Sequence, residues 1–89
     1  MPKRFVDTLF VREGRYSLGE DIEDRGYFLS IPVANRMVDY EEYYRIGKEQ
    51  YEQFQAEPAV ALQFADACRE REHDDLLILA PGSDRGDPV

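Results

Sequence analysis

Cysteine is nearly absent from the chain, basic residues are outnumbered, and no apolar run is longer than a strand. One cysteine in 89 residues allows neither an internal disulfide nor a cysteine-based zinc site, and such usage fits a reducing compartment. Apolar runs such as Leu76 to Ala80 fall far short of the roughly 18 residues that a bilayer span requires, so no membrane association is expected. The opening Met1-Pro2-Lys3-Arg4 has a basic pair, but Phe5, Val6 and then Asp7 follow, without the apolar centre of a signal peptide; a cytoplasmic location is expected. With 11 Lys+Arg against 19 Asp+Glu, the net charge of −8 repels nucleic-acid phosphate and favours a basic protein partner. Neither G-x-x-x-x-G-K-[ST] nor G-x-G-x-x-G occurs, which removes the phosphate-cradling loops.

What is present suffices for one small core: 43% of the residues are hydrophobic, and six Tyr and five Phe argue against disorder despite the 34% that are charged. Arg4 to Arg12, rich in aromatic and β-branched residues, predicts a strand that turns at Glu13-Gly14. Arg15 to Leu18 can return as its hairpin partner. Glu20, Asp21, Glu23 and Asp24, four carboxylates in five positions, predict a solvated loop. Tyr27, Leu29, Ile31 and Val33 alternate with Phe28, Ser30 and Pro32, giving a strand with one apolar face that ends, or lies at an edge, near Pro32.

Met37 to Ile46 fits a strand with Val38, Tyr40, Tyr44 and Ile46 on one face, interrupted by Glu42; Tyr40, Tyr43 and Tyr44 also fit a helical spacing, and the strand is preferred for its tyrosines. Gly47 with Gln50 three residues later marks a helix start, and Tyr51 and Phe54 form its buried stripe. Pro58 suits the first position of a second helix, on which Val60, Ala61, Phe64, Ala65, Ala67 and Cys68 share a face. The cations Arg69, Arg71 and His73 suit its C-terminus. Leu76 to Ala80 then predicts a central, well-paired strand. The fold class is therefore α+β, a small antiparallel sheet with two helices packed on one face. Residues 1–80 form a single domain and 81–89 a mobile C-terminal tail.

No catalytic residue, cofactor or metal is expected. Cys68 lies on the apolar stripe as a buried small hydrophobe, and Glu70, Glu72, His73, Asp74 and Asp75 have no metal-ligand spacing. Tyr40, Tyr43 and Tyr44 could stack bases, yet their neighbours are Asp39, Glu41 and Glu42 rather than cations. Tyrosine beside carboxylate instead suits a protein interface, in which the ring supplies area and the charge selects a basic partner.

The stretch Val38-Asp-Tyr-Glu-Glu-Tyr-Tyr-Arg-Ile-Gly-Lys-Glu-Gln-Tyr-Glu-Gln-Phe54, then Pro58 with its alanine-rich helix, then Cys68-Arg-Glu-Arg-Glu-His-Asp-Asp-Leu-Leu-Ile-Leu79, resembles the small acidic bacterial immunity proteins that neutralise polymorphic or secretion-system toxins. The resemblance covers roughly the last fifty residues and lies in style and order rather than in a signature. It implies a non-enzymatic protein that binds a cognate toxin and blocks it. The partner-binding surface expected on this basis is Asp39, Glu41 and Tyr43 on the outward face of their strand, with Glu20, Asp21, Glu23 and Asp24 from the acidic loop. The alternative is a small adaptor or regulatory subunit binding a larger protein with a basic surface.

Overall fold

Alternation along Gly26–Ala34 organises the molecule: Leu29, Ile31 and Val33 are sealed beneath two helices, while Phe28, Ser30 and Pro32 face the other way. The computed structural model describes residues 4–34, 39–79 and 86–88. Four strands, β1 (Phe5–Val11), β2 (Tyr16–Asp21), β3 (Gly26–Ala34) and β4 (Tyr40–Ile46), form an antiparallel sheet in the order β1-β2-β3-β4. Helices α1 (Lys48–Ala56) and α2 (Pro58–Arg69) follow, and the fold is the expected small α+β arrangement. None of the helices of the described residues is long and apolar enough to cross a membrane.

Core packing lies between the sheet and the helices. Tyr16, Leu18, Leu29, Ile31, Val33, Tyr44 and Ile46 from the strands meet Phe54 of α1 and Ala61, Ala65 and Cys68 of α2. The small residues of α2 let that helix approach the sheet, and Phe64 sits half-buried beside them against Phe54, ring centroids 5.3 Å apart. Only half of a capping box opens α1: the Gly47 N–H donates to Gln50 Oε1 at 3.0 Å, and glycine has no side chain to complete the exchange. Pro58 occupies the first turn of α2 as expected. Its far end is a Schellman motif, with Glu72 N–H on the Ala67 carbonyl and Arg71 N–H on the Cys68 carbonyl, both at 3.0 Å.

One choice is decided and two expectations change. The strand reading holds for Tyr40–Ile46 over the helical one, whereas Met37 and Val38 lie outside the described residues. Leu76 to Leu79 is no central strand: Asp74–Leu76 forms a 3₁₀ turn, and beyond it an isolated Tyr44–Leu77 bridge and an Ile78 N–H to Tyr43 carbonyl bond (2.9 Å) join the segment to β4. A short apolar run fits a strand and an apolar cover equally well, and here it caps the outer edge of β4; Ala80 lies outside the described residues. The acidic segment is not all loop. Glu20 and Asp21 complete β2, leaving Ile22 to Arg25 as the turn, because arginines from both sides neutralise Asp21.

The end of the chain also returns to the sheet. Asp87–Pro88 forms a two-residue strand, β5, paired with Val33 and Ala34. Since Val33 pairs with Tyr40 on its other side, β5 continues the β2 side of β3 past the end of β2. Gly86 is needed there, because a Cβ at that position would collide with the Ala34 carbonyl. The rest of the expected tail, residues 81–85 and 89, lies outside the described residues.

Candidate functional site

The helices leave one face of the sheet open. Register places Phe5 and Asp7 of β1, Gly19 and Asp21 of β2, Phe28 and Ser30 of β3, and Glu41, Tyr43 and Arg45 of β4 on that side. Phe5 stacks on Tyr43 with ring centroids 3.9 Å apart and planes 10° from parallel. Both meet Phe28 edge-on, at 5.5 and 4.9 Å, and together they exclude Phe28 from solvent. Gly19 makes the cluster possible: any Cβ there would enter the Phe28 ring and the Val6 carbonyl.

Carboxylates flank the aromatic stack. Glu41 Oε1 accepts the Ser30 hydroxyl at 3.2 Å, and Asp7 approaches Tyr43 from the opposite strand. Burial first, and then Glu41 and Asp7, push the Tyr43 phenol up to about 12, so it stays a neutral donor. Neither Asp7 nor Glu41 has a cationic partner among the described residues. Phe10, 63% exposed, extends the same face along β1.

An ion network closes one end of the face. Asp21, wholly buried, accepts Arg4 Nε at 3.0 Å and Arg45 Nη2 at 2.9 Å, and Arg45 also reaches Asp24 at 2.9 Å. Asp21 Oδ1 accepts the backbone N–H groups of Glu23 and Asp24 as well, so the carboxylate shapes the turn that follows it. These bonds, the Arg4 one foremost, hold the Asp21 carboxyl down to about 2 against its burial, and the same contact raises Arg4. The Arg4 guanidinium also lies 5.0 Å from the Phe5 ring centroid and so joins the network to the aromatic stack.

The expected surface residues therefore separate. Glu41 and Tyr43 lie together on the open face, and Glu23 and Asp24 are exposed at its rim. Asp39 is exposed just before β4. Glu20 pairs with Tyr27 on the helix side and is not part of this face. Asp21 is buried and organises the rim rather than offering a contact. Sequence reasoning missed Asp7, Phe5 and Phe28; the signal was the second face of the β3 alternation, whose lone aromatic, Phe28, needed a cover.

Elsewhere the chemistry is quiet. Burial raises the Cys68 thiol to about 12, and His73 lies stacked on Phe64 at 4.5 Å. Asp74 and Asp75 are exposed in the 3₁₀ turn. Among the described residues there is no group of three or more His, Cys, Asp or Glu placed to hold a metal ion. The chain matches no protein-family model, no curated protein and no solved structure.

Proposed function

We propose that the protein is an immunity protein, which binds a cognate toxin domain through the open sheet face and inhibits it by occlusion. The observation that carries this reading is the pair of carboxylates, Asp7 and Glu41, which flank a partly exposed Phe5–Tyr43 stack and have no cationic partner among the described residues. Lysines or arginines of the partner would pair with these carboxylates while their stems lie against the rings, which combines steering with contact area. The net charge of −8 adds long-range attraction to a basic cleft.

The test is capture of partners by the tagged protein from its own cells, washed at low and high salt. One stoichiometric protein that survives high salt and kills a host when expressed alone supports immunity. A housekeeping enzyme recovered instead would make the chain an adaptor subunit, and a partner whose binding ignores Glu41→Lys and Tyr43→Ala would remove the open face.

A further inference from the structure

The outer edge of β1 is the least guarded part of the fold. Among the described residues the strand pairs with β2 on one side only. Ile22 N–H donates to the Arg4 carbonyl at 2.8 Å, so the alternation of an antiparallel ladder turns the amides and carbonyls of Phe5 and Asp7 outward. Of six large hydrophobic residues exposed on the described surface, three belong to this strand: Val6 at 40%, Leu9 at 36% and Phe10 at 63%. Edge strands are ordinarily protected by lysine, proline, short length or cover. The seven residues of β1 include neither Lys nor Pro, and its guards are Asp7 and the bulge between Asp7 and Leu9.

The end of the same strand opens into a mostly apolar groove of about 280 Å³, between the β1–β2 turn and the start of α2, lined by Val11, Gly14, Tyr16, Pro58 and Leu62. Its volume suits one large side chain. Tyr16, whose buried hydroxyl has no hydrogen-bond partner among the described residues, forms part of it. Outward backbone groups, exposed apolar side chains on both faces of the strand and an adjoining groove at its end are the parts of a strand-addition site, where main-chain bonds give affinity and alternate side chains give selectivity.

We infer that β1 receives an extended segment of the protein's partner as an additional strand. Register fixes its chemistry. On the helix side the segment carries apolar residues beside Val6 and Leu9, with one anchor in the groove under Leu62. On the open side it carries a lysine or arginine beside Asp7, whose carboxylate has no cationic partner among the described residues. The choice of a basic residue rests on the same unpaired charge as the proposed function, whereas the strand addition itself does not depend on that reading.

The experiment uses the ¹⁵N-labelled full chain and an acetylated, amidated heptapeptide alternating valine and lysine as the probe. The expected result is slowed exchange of the Phe5 and Asp7 amides with shifts along Leu9 to Val11. A peptide N-methylated along one edge loses the main-chain bonds but keeps every side chain, and should bind about tenfold more weakly. A glutamate-for-lysine peptide should bind more weakly still, and Asp7→Asn should narrow that difference.

Equal binding of the methylated peptide, with shifts at Glu41 and Tyr43 rather than β1, would overturn strand addition and leave face docking standing. Absence of binding at millimolar peptide would overturn the inference without touching the capture experiment above. A concentration-dependent dimer with protected Phe5 and Asp7 amides in the absence of peptide would show that a second copy takes the edge, and would also overturn it.

Discussion

Arg71 closes α2 in the left-handed backbone region, at a φ of 64°, and from there lays its Nη1 3.1 Å from the carboxylate of Glu42, buried on the core side of β4. Glycine is the usual residue at this position of a Schellman motif, and an L-residue there costs about 1 kcal/mol. The guanidinium offsets that cost twice over, because it compensates Glu42 and also donates Nη2 to the Gly86 carbonyl at 2.8 Å, which anchors β5. Tyr44 adds its hydroxyl to Glu42 at 3.0 Å. Arg71→Gly should therefore destabilise by roughly 1 to 2 kcal/mol despite relieving the backbone, since it takes one charged partner from the buried Glu42 carboxylate and the anchor from Gly86. Urea unfolding at neutral pH measures it, and the Glu42→Gln, Arg71→Gly double variant should recover part of the loss. A stabilised Arg71→Gly protein would refute the role given to the guanidinium.

Asp21 supplies the acid limb of the stability curve. Its folded value of about 2 lies below the ordinary 3.8, so its contribution is complete above about pH 4 and is lost as the pH falls towards 2. Allowing for solvent around Arg4 and Arg45, the amount is roughly 1 to 2 kcal/mol. Asp21→Asn should lose that much at pH 7 and flatten the profile between about pH 4 and 2. An unchanged slope in acid would mean that other carboxylates carry the limb.

Much of this fold can be read along the chain, where local period and burial agree. Tyr27 to Val33 alternates because one face of β3 is buried under helices, and Pro58, Ala61, Ala65 and Cys68 mark the start and inner stripe of α2. The failures share a cause: partners distant in sequence decided the outcome. Asp21 looks like solvated loop until Arg4 and Arg45 arrive from 17 and 24 positions away. Glu42 looks like an interruption until Arg71 reaches it across 29. Gly86 and Asp87 look like loose tail until Tyr40 and Ala34 are placed beside them. For the candidate site, β4 alternation put Glu41 and Tyr43 outward, but pairing with β1 added Asp7 and Phe5, and no local pattern announces that pairing.

Tyr43 offers a check on the open face that needs no partner. Because burial is the first cause of its raised value, Phe5→Ala, which uncovers the ring, should lower its titration midpoint from about 12 more than Asp7→Asn does. NMR of ring-labelled tyrosine at alkaline pH separates it from the other five. A larger effect from Asp7→Asn would mean that charge rather than burial dominates this face.

Phe64 tests how the helices are held. The inward positions of α2 are filled by Ala61, Ala65 and Cys68, while Phe64 is half-buried between Phe54 and the His73 ring. Truncating a fully buried phenylalanine costs about 3 to 5 kcal/mol, and partial exposure should bring Phe64→Ala to about 2. Ala65→Leu, by contrast, forces new methyl groups between α2 and β3 and should cost about 1 to 3 kcal/mol through strain. Chemical denaturation of both variants decides the matter: if Phe64→Ala is near neutral while Ala65→Leu is severe, the close approach of α2 to the sheet, rather than aromatic packing between α1 and α2, holds the helical layer in place.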